Sequence, residues 1–259
     1  MELPVDSMEQ QMALQQELMA AISHEIRTPV SRLSFALQLL KDGLEQEPKL
    51  VRQQQLLASC DDMVDDIDEI NDLVAEVMTY IHLEDGGPRI IFQQVNVKAV
   101  LENLRSQYAD LHPHLQISLA PDLPAKIIDV EPVQIRRACQ NLVGNAVKYA
   151  RTKIHLGYRL DGGFCVLLVE DDGEGIPETE YGRVFSPFTR LDESRNRSTG
   201  GFGLGLSIVR RIAYWHGGRA VAGRSEALGG ANMMIRLPIH QPTDSLPVPS
   251  MAHLADRPA

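Results

Sequence analysis

The heptapeptide Asp171-Asp172-Gly173-Glu174-Gly175-Ile176-Pro177 closes a strongly apolar segment, Phe164–Glu170, that reads as a buried strand. A carboxylate at the end of such a strand can accept a hydrogen bond from an amino group such as that of adenine. The glycines beside it let backbone approach a flat base. Upstream, residues 131–149 read as a helix with Pro132 in its first turn, where a missing N–H is tolerated. Asn141, Asn145 and Lys148 are spaced four and three apart, so they line one face of that helix. Amide oxygens are hard ligands suited to Mg2+, and a lysine is a point charge for phosphate. Downstream, Gly200-Gly201-Phe202-Gly203-Leu204-Gly205-Leu206 runs straight into a helical pattern over residues 204–216. Glycines followed by a helix N-terminus offer N–H groups and the positive end of a dipole to an anion. Taken singly, the three have ordinary alternatives: a polar helix face, a tight turn, a glycine loop. Together and in this order they point to a nucleotide site.

The surroundings supply the fold. Strand-like segments are Ile90–Val97, Leu115–Leu119, Ala125–Asp129, Thr152–Leu160, Phe164–Glu170, Arg219–Gly223 and Ala231–Pro238. They alternate with helical segments at 97–111, 131–149 and 204–216. A mixed sheet covered by three helices would bury these faces in two layers. Asp85-Gly86-Gly87-Pro88 has linker chemistry, and the proline-rich tail beyond residue 240 reads as disordered. The expected domains are therefore 1–84, a linker at 85–91, 92–240, and a tail at 241–259.

The first 84 residues follow a different rule. Residues 7–42 read as one helix bent at Pro29, and residues 49–83 as a second, with a tight connection around Gly43 and Pro48. The first keeps a seven-residue rhythm in Ile22, Ile26, Pro29, Leu33, Ala36 and Leu40. The second keeps it in Leu56, Cys60, Met63, Ile67, Ile70, Val74, Val77 and Ile81. Its other face is acidic, from Asp61 through Asp66 and Glu69 to Glu76. A two-helix hairpin has little core of its own, so two such seams fit a four-helix bundle made by two chains. His24, inside Ser23-His24-Glu25-Ile26-Arg27-Thr28-Pro29, points roughly 200° away from the seam. Thr28 shares its face, and Glu25 is adjacent.

The chain has 259 residues and a net charge of −10, which argues against binding nucleic acid through phosphate. Cys60, Cys139 and Cys165 lie singly in apolar patterns and read as reduced, buried thiols. Such thiols fit a cytoplasmic protein, and no apolar run reaches the ~18 residues of a membrane span, so the chain as given reads as soluble.

Across residues 8–240 the chain resembles the transmitter core of bacterial sensor histidine kinases. Ser23–Pro29 resembles the phosphoacceptor box, and Asn141-Leu-Val-Gly-Asn145-Ala-Val-Lys148-Tyr149 the asparagine box. Asp171–Gly175 is similar to the first glycine box, Phe185-Ser-Pro-Phe188 to the phenylalanine box, and Gly201–Leu206 to the second glycine box. The implied fold is a helical hairpin forming a dimeric four-helix bundle, followed by a two-layer α/β sandwich of the gyrase–histidine kinase type. The implied activity is ATP- and Mg2+-dependent autophosphorylation of His24, assisted by Glu25, with transfer to an aspartate of a response regulator. Thr28 resembles the residue that serves the reverse, phosphatase reaction. Asn145 and Asn141 are the implied Mg2+ ligands, and Asp171 reads adenine. Lys148, Tyr149, Gly173, Gly175, Ile176, Gly201, Gly203, Leu204, Gly205 and Leu206 line the nucleotide. Residues 173–200 form a lid, whose Arg195 and Arg197 are candidates for reaching the phosphates.

Two residues depart from the pattern. Phe202 stands where a small hydroxylic residue is usual, and Asp172 where Asn is common. Phe35 returns to within roughly 20° of the His24 direction, about 16 Å further along, and with Ser31 and Arg32 is the expected docking patch for the regulator. The resemblance also implies a membrane sensor upstream, with the parent protein in the bacterial inner membrane and this portion in the cytoplasm. An ATP-operated machine of the gyrase B kind is the rival, and the phosphoacceptor box speaks against it.

Overall fold

The structure is a computed structural model and describes residues 22, 26–38, 49–84, 90–121, 123–191 and 202–241. Two compact units divide between Met78 and Thr79.

In the first unit, helix α1 (residues 26–38) carries Pro29 buried and Ile26, Leu33 and Ala36 half-buried. Helix α2 (Lys49–Glu84) answers with Leu73 and Val77, which are buried, and with half-buried Met63 and Ile70. Arg32 Nε donates to Asp66 Oδ1 at 2.6 Å, and its Nη2 also donates to Glu69. Asp66 belongs to the expected acidic outer face, yet it is turned inward and only 8% exposed. The cation across the hairpin compensates its burial.

The heptad seam of α2 is split in two. Met63, Ile70 and Val77 lie with the covered residues, whereas Ile67 and Val74, joined by Val64 and Met78, stay exposed. Cys60 heads this outward stripe and is exposed, not buried as expected; Cys139 and Cys165 are buried, and burial pushes both thiols up to about 12.

In the second unit, the main sheet has the order β2-β4-β5-β7-β6. Its strands are β2 (Gln116–Leu119), β4 (Lys153–Asp161), β5 (Phe164–Asp171), β6 (Arg219–Arg224) and β7 (Ala231–Pro238). Among the described residues only β2 and β4 pair in parallel; the other neighbours are antiparallel. A separate antiparallel ribbon joins β1 (Gln93–Asn96) to β3 (Ile127–Val130).

Helices α3 (Val97–Leu111), α4 (Pro132–Tyr149) and α5 (Gly205–Trp215) bury their apolar stripes. The sheet meets them with alternate residues: Ile154, Leu156 and Tyr158 of β4, Cys165, Leu167 and Val169 of β5, and Met233, Ile235 and Leu237 of β7. Asp171 falls in the same parity as Cys165, Leu167 and Val169, so the period of the strand carries it onto the buried face. Caps fix the helix starts. Asn96 accepts the N–H groups of Lys98 and Ala99, and Glu131 accepts that of Gln134. The last turn of α2 belongs to this unit, where the Leu83 carbonyl accepts from Arg211 Nε and Trp215 Nε1, both at 2.9 Å. Among the described residues, no helix is long and apolar enough to cross a membrane.

Candidate functional site

Asp171 ends β5 with its side chain 2% exposed. Its Oδ1 accepts the backbone N–H groups of Gly173 at 2.8 Å and Ala231 at 3.1 Å. Oδ2 accepts from no described residue, which leaves one oxygen for an incoming donor. Burial pushes the carboxyl above its ordinary value and the charge of Asp172 adds to the rise, while the two N–H bonds pull it down. Asp172 has the opposite surroundings. Its carboxylate accepts from Arg151 N at 2.8 Å, Thr152 N at 3.0 Å and Thr152 Oγ1 at 2.7 Å. Burial works against the charged form, but these donors together hold the group well below the usual carboxylate range. Asp172 is thereby a clamp on the start of β4, directed away from the site.

Helix α4 touches both glycine segments. A β-carbon on Gly173 would collide with the Tyr149 carbonyl, so the first segment lies against the end of the asparagine-bearing helix. A β-carbon on Gly205 would stand 3.5 Å from Asn141 Oδ1, so the second lies against its middle. Asn141, Asn145 and Lys148 share the face between these contacts. Lys148 Nζ sits 5.4 Å from the Tyr149 ring centroid, and Tyr149 is half exposed. Gly175 adopts a φ of 80°, with Ile176 following half-buried. Leu204 is fully buried, and no side chain caps α5, which leaves the first-turn N–H groups to other acceptors.

Phe188 and Gly203 bring the chain back on itself. Phe188 has a φ of 57°, its N–H donates to the Gly203 carbonyl at 3.0 Å, and a β-carbon at Gly203 would stand 2.9 Å from the Phe188 backbone. Phe202, expected to matter as a departure, is 7% exposed and packs as core. Arg195, Arg197 and Gly201 lie outside the described residues, as do His24 and Glu25. Thr28 is half-buried on α1. Ser31 donates to the Arg27 carbonyl at 2.7 Å, Arg32 is engaged by Asp66 and Glu69, and Phe35 is 66% exposed.

Sequence reasoning did not single out Gly230 and Ala231. A β-carbon at Gly230 would collide with the main-chain oxygen and Oδ1 of Asp171. The Gly229-Gly230 pair was the available signal, since adjacent glycines before a strand mark a close backbone approach. The cradle suits a flat base at Asp171. Among the described residues no group of His, Cys, Asp or Glu could hold a metal. The amide oxygens of Asn141 and Asn145 are hard donors of the kind Mg2+ accepts alongside phosphate oxygens and waters.

Comparison with known proteins follows the same division of the chain. The family described as Histidine kinase-, DNA gyrase B-, and HSP90-like ATPase matches residues 130–241, and the His Kinase A (phospho-acceptor) domain matches residues 14–86. Sensor histidine kinase CpxA of Escherichia coli (strain K12) is 31% identical over 243 residues, 92% of this chain and 50% of CpxA. The chain thus spans about half the length of the curated relatives it matches. The structure of histidine kinase AdeS of Acinetobacter baumannii aligns with a TM-score of 0.62 at 23% identity, covering 83% of this chain and 98% of that one. Histidine kinase ThkA in complex with response regulator protein TrrA aligns with a TM-score of 0.69 at 20% identity, over 89% of this chain and 64% of that one. With a phosphoacceptor domain and an ATPase domain matched in that order, the chain belongs to the sensor histidine kinases of bacterial two-component systems and holds their transmitter core.

Proposed function

We propose that this chain transfers the γ-phosphoryl group of ATP to His24 and then to an aspartate of a response regulator. The observation that carries the reading is the contact of one helix, α4, with both glycine segments, which gathers the Asp171 cradle, the Asn141–Asn145 face and the α5 N-terminus in one unit. Asp171 Oδ2 takes the adenine amino group. Asn145, with Asn141 beside it, holds Mg2+, and Lys148 and the first turn of α5 face the phosphates, with Arg195 and Arg197 closing from the lid. Bound Mg2+ supplies charge neutralisation at the phosphates. An imidazole nitrogen of His24 attacks the γ-phosphorus in line; the N–P bond forms as the bond to the ADP oxygen breaks. Glu25 holds the proton on the other ring nitrogen.

Residues 1–84 act as the dimerisation and phosphotransfer hairpin and residues 92–240 as the catalytic domain. The outward stripe of Cys60, Val64, Ile67, Val74 and Met78 supports pairing of two hairpins, because its four-and-three spacing suits a second pair of helices. Phe35 with Ser31 and Arg32 is the proposed docking patch for the regulator, and Thr28 serves dephosphorylation of that regulator. The parent protein is proposed to be a membrane sensor, as the CpxA likeness suggests.

The test is incubation with γ-labelled ATP and Mg2+. Acid-labile, alkali-stable label is expected on the wild-type chain and absent from His24→Gln. Label that persists in His24→Gln would move the phosphoacceptor elsewhere, and hydrolysis without labelling would favour an ATP-operated machine.

A further inference from the structure

The second unit holds a buried histidine that none of these roles uses. His216 caps the end of α5 and is 1% exposed. Its Nδ1 lies 2.7 Å from the Ile212 carbonyl, and its Nε2 lies 3.0 Å from the backbone nitrogen of Glu131. A carbonyl only accepts and a backbone N–H only donates. Nδ1 therefore carries the proton and Nε2 offers its lone pair, and a single neutral tautomer satisfies both bonds. The surroundings hold the ring still. Phe92 packs edge-on with centroids 5.7 Å apart, and Gln241 Nε2 donates to the His216 carbonyl at 2.9 Å.

The partner of the ring matters more than its burial. Glu131 is the N-cap of α4, and its own carboxylate takes the Gln134 N–H at 2.6 Å. The start of α4 thus meets the end of α5. Ten residues along α4, Asn141 meets Gly205 at the start of α5, eleven residues before His216. The two helices run in opposite directions, joined at points about 15 Å apart at ~1.5 Å per residue. At Gly205 there is room for a β-carbon between the glycine and Asn141, so that end tolerates sliding. The bond at His216 is directional and does not.

We propose that His216 is a positioning residue of the nucleotide site: by accepting the Glu131 N–H it sets the axial register of α5 against α4. That register fixes the separation between the α5 N-terminus at Gly205 and the amide face at Asn141 and Asn145. The proposal rests on reading this face as the Mg–nucleotide site. His216→Leu keeps apolar bulk but strands the Glu131 N–H, a part-buried donor then left without its acceptor. His216→Gln can place its Oε1 near the position of Nε2 and restore the bond without the ring. A histidine that merely filled space would rank these variants the other way.

Protonation supplies an independent readout. Burial draws the imidazole below its ordinary value, and the Ile212 carbonyl and the Glu131 charge pull it back up. Glu131 is the charged group that acts on the ring; the Asp129–His240 pair, at 3.2 Å, lies beyond Gln241, whose N–H donates to Asp129. A protonated Nε2 would set N–H against N–H at Glu131. The latch is therefore closed above the ordinary imidazole value and opens as pH falls through the lowered one.

The experiment measures binding of Mg–ADP to the whole chain by calorimetry from about pH 8 to about pH 5.5, alongside thermal melts. His216→Leu should bind about tenfold more weakly at pH 8, and His216→Gln within about threefold of wild type. Wild-type affinity should fall toward the acidic end, with that fall much reduced in His216→Gln. A folded His216→Leu that binds like wild type, or a His216→Gln no better than the Leu variant, overturns the proposal. If His216→Leu does not fold, the difference in pH profile between wild type and His216→Gln decides, and identical profiles overturn it. Failure of wild type to bind Mg–ADP would strike at the nucleotide reading itself, a separate result.

Discussion

Gly230 stands so close to Asp171 that any β-carbon at residue 230 would enter the space of the carboxylate. The same carbon would lie 2.5 Å from Gly173 N, one of the two donors that aim that carboxylate. Gly230→Ala must therefore push β7 from β5 or turn Asp171 out of its cradle. Nucleotide affinity should fall tenfold or more, as far as in Asp171→Asn. Gly229→Ala is the control. Its φ is 84° but nothing lies within 4 Å of its β-position, so it should cost about 1 kcal/mol of stability and little affinity. Calorimetric binding to the two variants checks this; equal affinities would detach Gly230 from the base site.

Asp171 and Asp172 are chain neighbours with opposite surroundings, and their variants should separate accordingly. Asp172→Ala removes the acceptor for Arg151 N and for Thr152 N and Oγ1, and should cost about 1 kcal/mol, limited by solvent exposure. Its effect on nucleotide affinity should be much smaller than that of Asp171→Asn. The pH dependence has a definite sign. The folded Asp172 carboxyl is depressed, so its stabilisation is present above the ordinary carboxylate value and is lost as pH falls through the depressed one. Acid melts of wild type and Asp172→Ala should converge toward the lowest pH. A wild-type advantage that stays constant down to that limit would contradict the clamp.

Most of the second unit was legible because its signals are local. Pro132 opens α4, and the alternation along β5 sorts Asp171 inward with Cys165, Leu167 and Val169. What the sequence hid is set by contacts between distant segments. Ala231 reaches Asp171 across 60 residues and His216 reaches Glu131 across 85, and no period records either pairing. The hairpin shows the same limit. A heptad marks Cys60, Met63, Ile67 and Ile70 as apolar alike, but it does not say which pair meets α1. Asp66 reads as acidic surface until Arg32 arrives from the other helix.

Asn145→Ala removes an amide oxygen from the α4 face without disturbing any described backbone contact. Mg2+-dependent autophosphorylation should drop by at least a hundredfold, on the scale of losing one preorganised electrostatic group. Dimerisation should persist, since Asn145 is in the second unit. Sedimentation and phosphorylation assays on one preparation test both halves. Near-normal turnover would release this face from the metal.

Thr28 is half-buried on α1, four residues after His24 in the sequence. Thr28→Ala should leave autophosphorylation within about threefold of wild type, because the hydroxyl is needed neither to bind ATP nor to activate the imidazole. Dephosphorylation of the regulator should fall by an order of magnitude or more. Equal loss of both activities would instead assign Thr28 to support of the helix around Pro29.

Arg32 and Phe35 are three residues apart on α1 but differ in their surroundings. The Arg32 guanidinium is tied to Asp66 and Glu69, with Asp66 nearly covered and Glu69 more open. Removing Arg32 would leave the Asp66 carboxylate buried without its cation, so Arg32→Ala should cost the hairpin roughly 1–2 kcal/mol after allowance for exposure. A double-mutant cycle with Asp66→Ala should recover most of that as coupling. Phe35, 66% exposed, should behave otherwise. Phe35→Ala should leave the melting temperature and autophosphorylation nearly unchanged and slow transfer to the regulator by about tenfold through weaker docking. The two effects must come apart for the patch to stand on Phe35. If Phe35→Ala melts the hairpin as Arg32→Ala does, or leaves transfer at the wild-type rate, the docking surface lies elsewhere on α1.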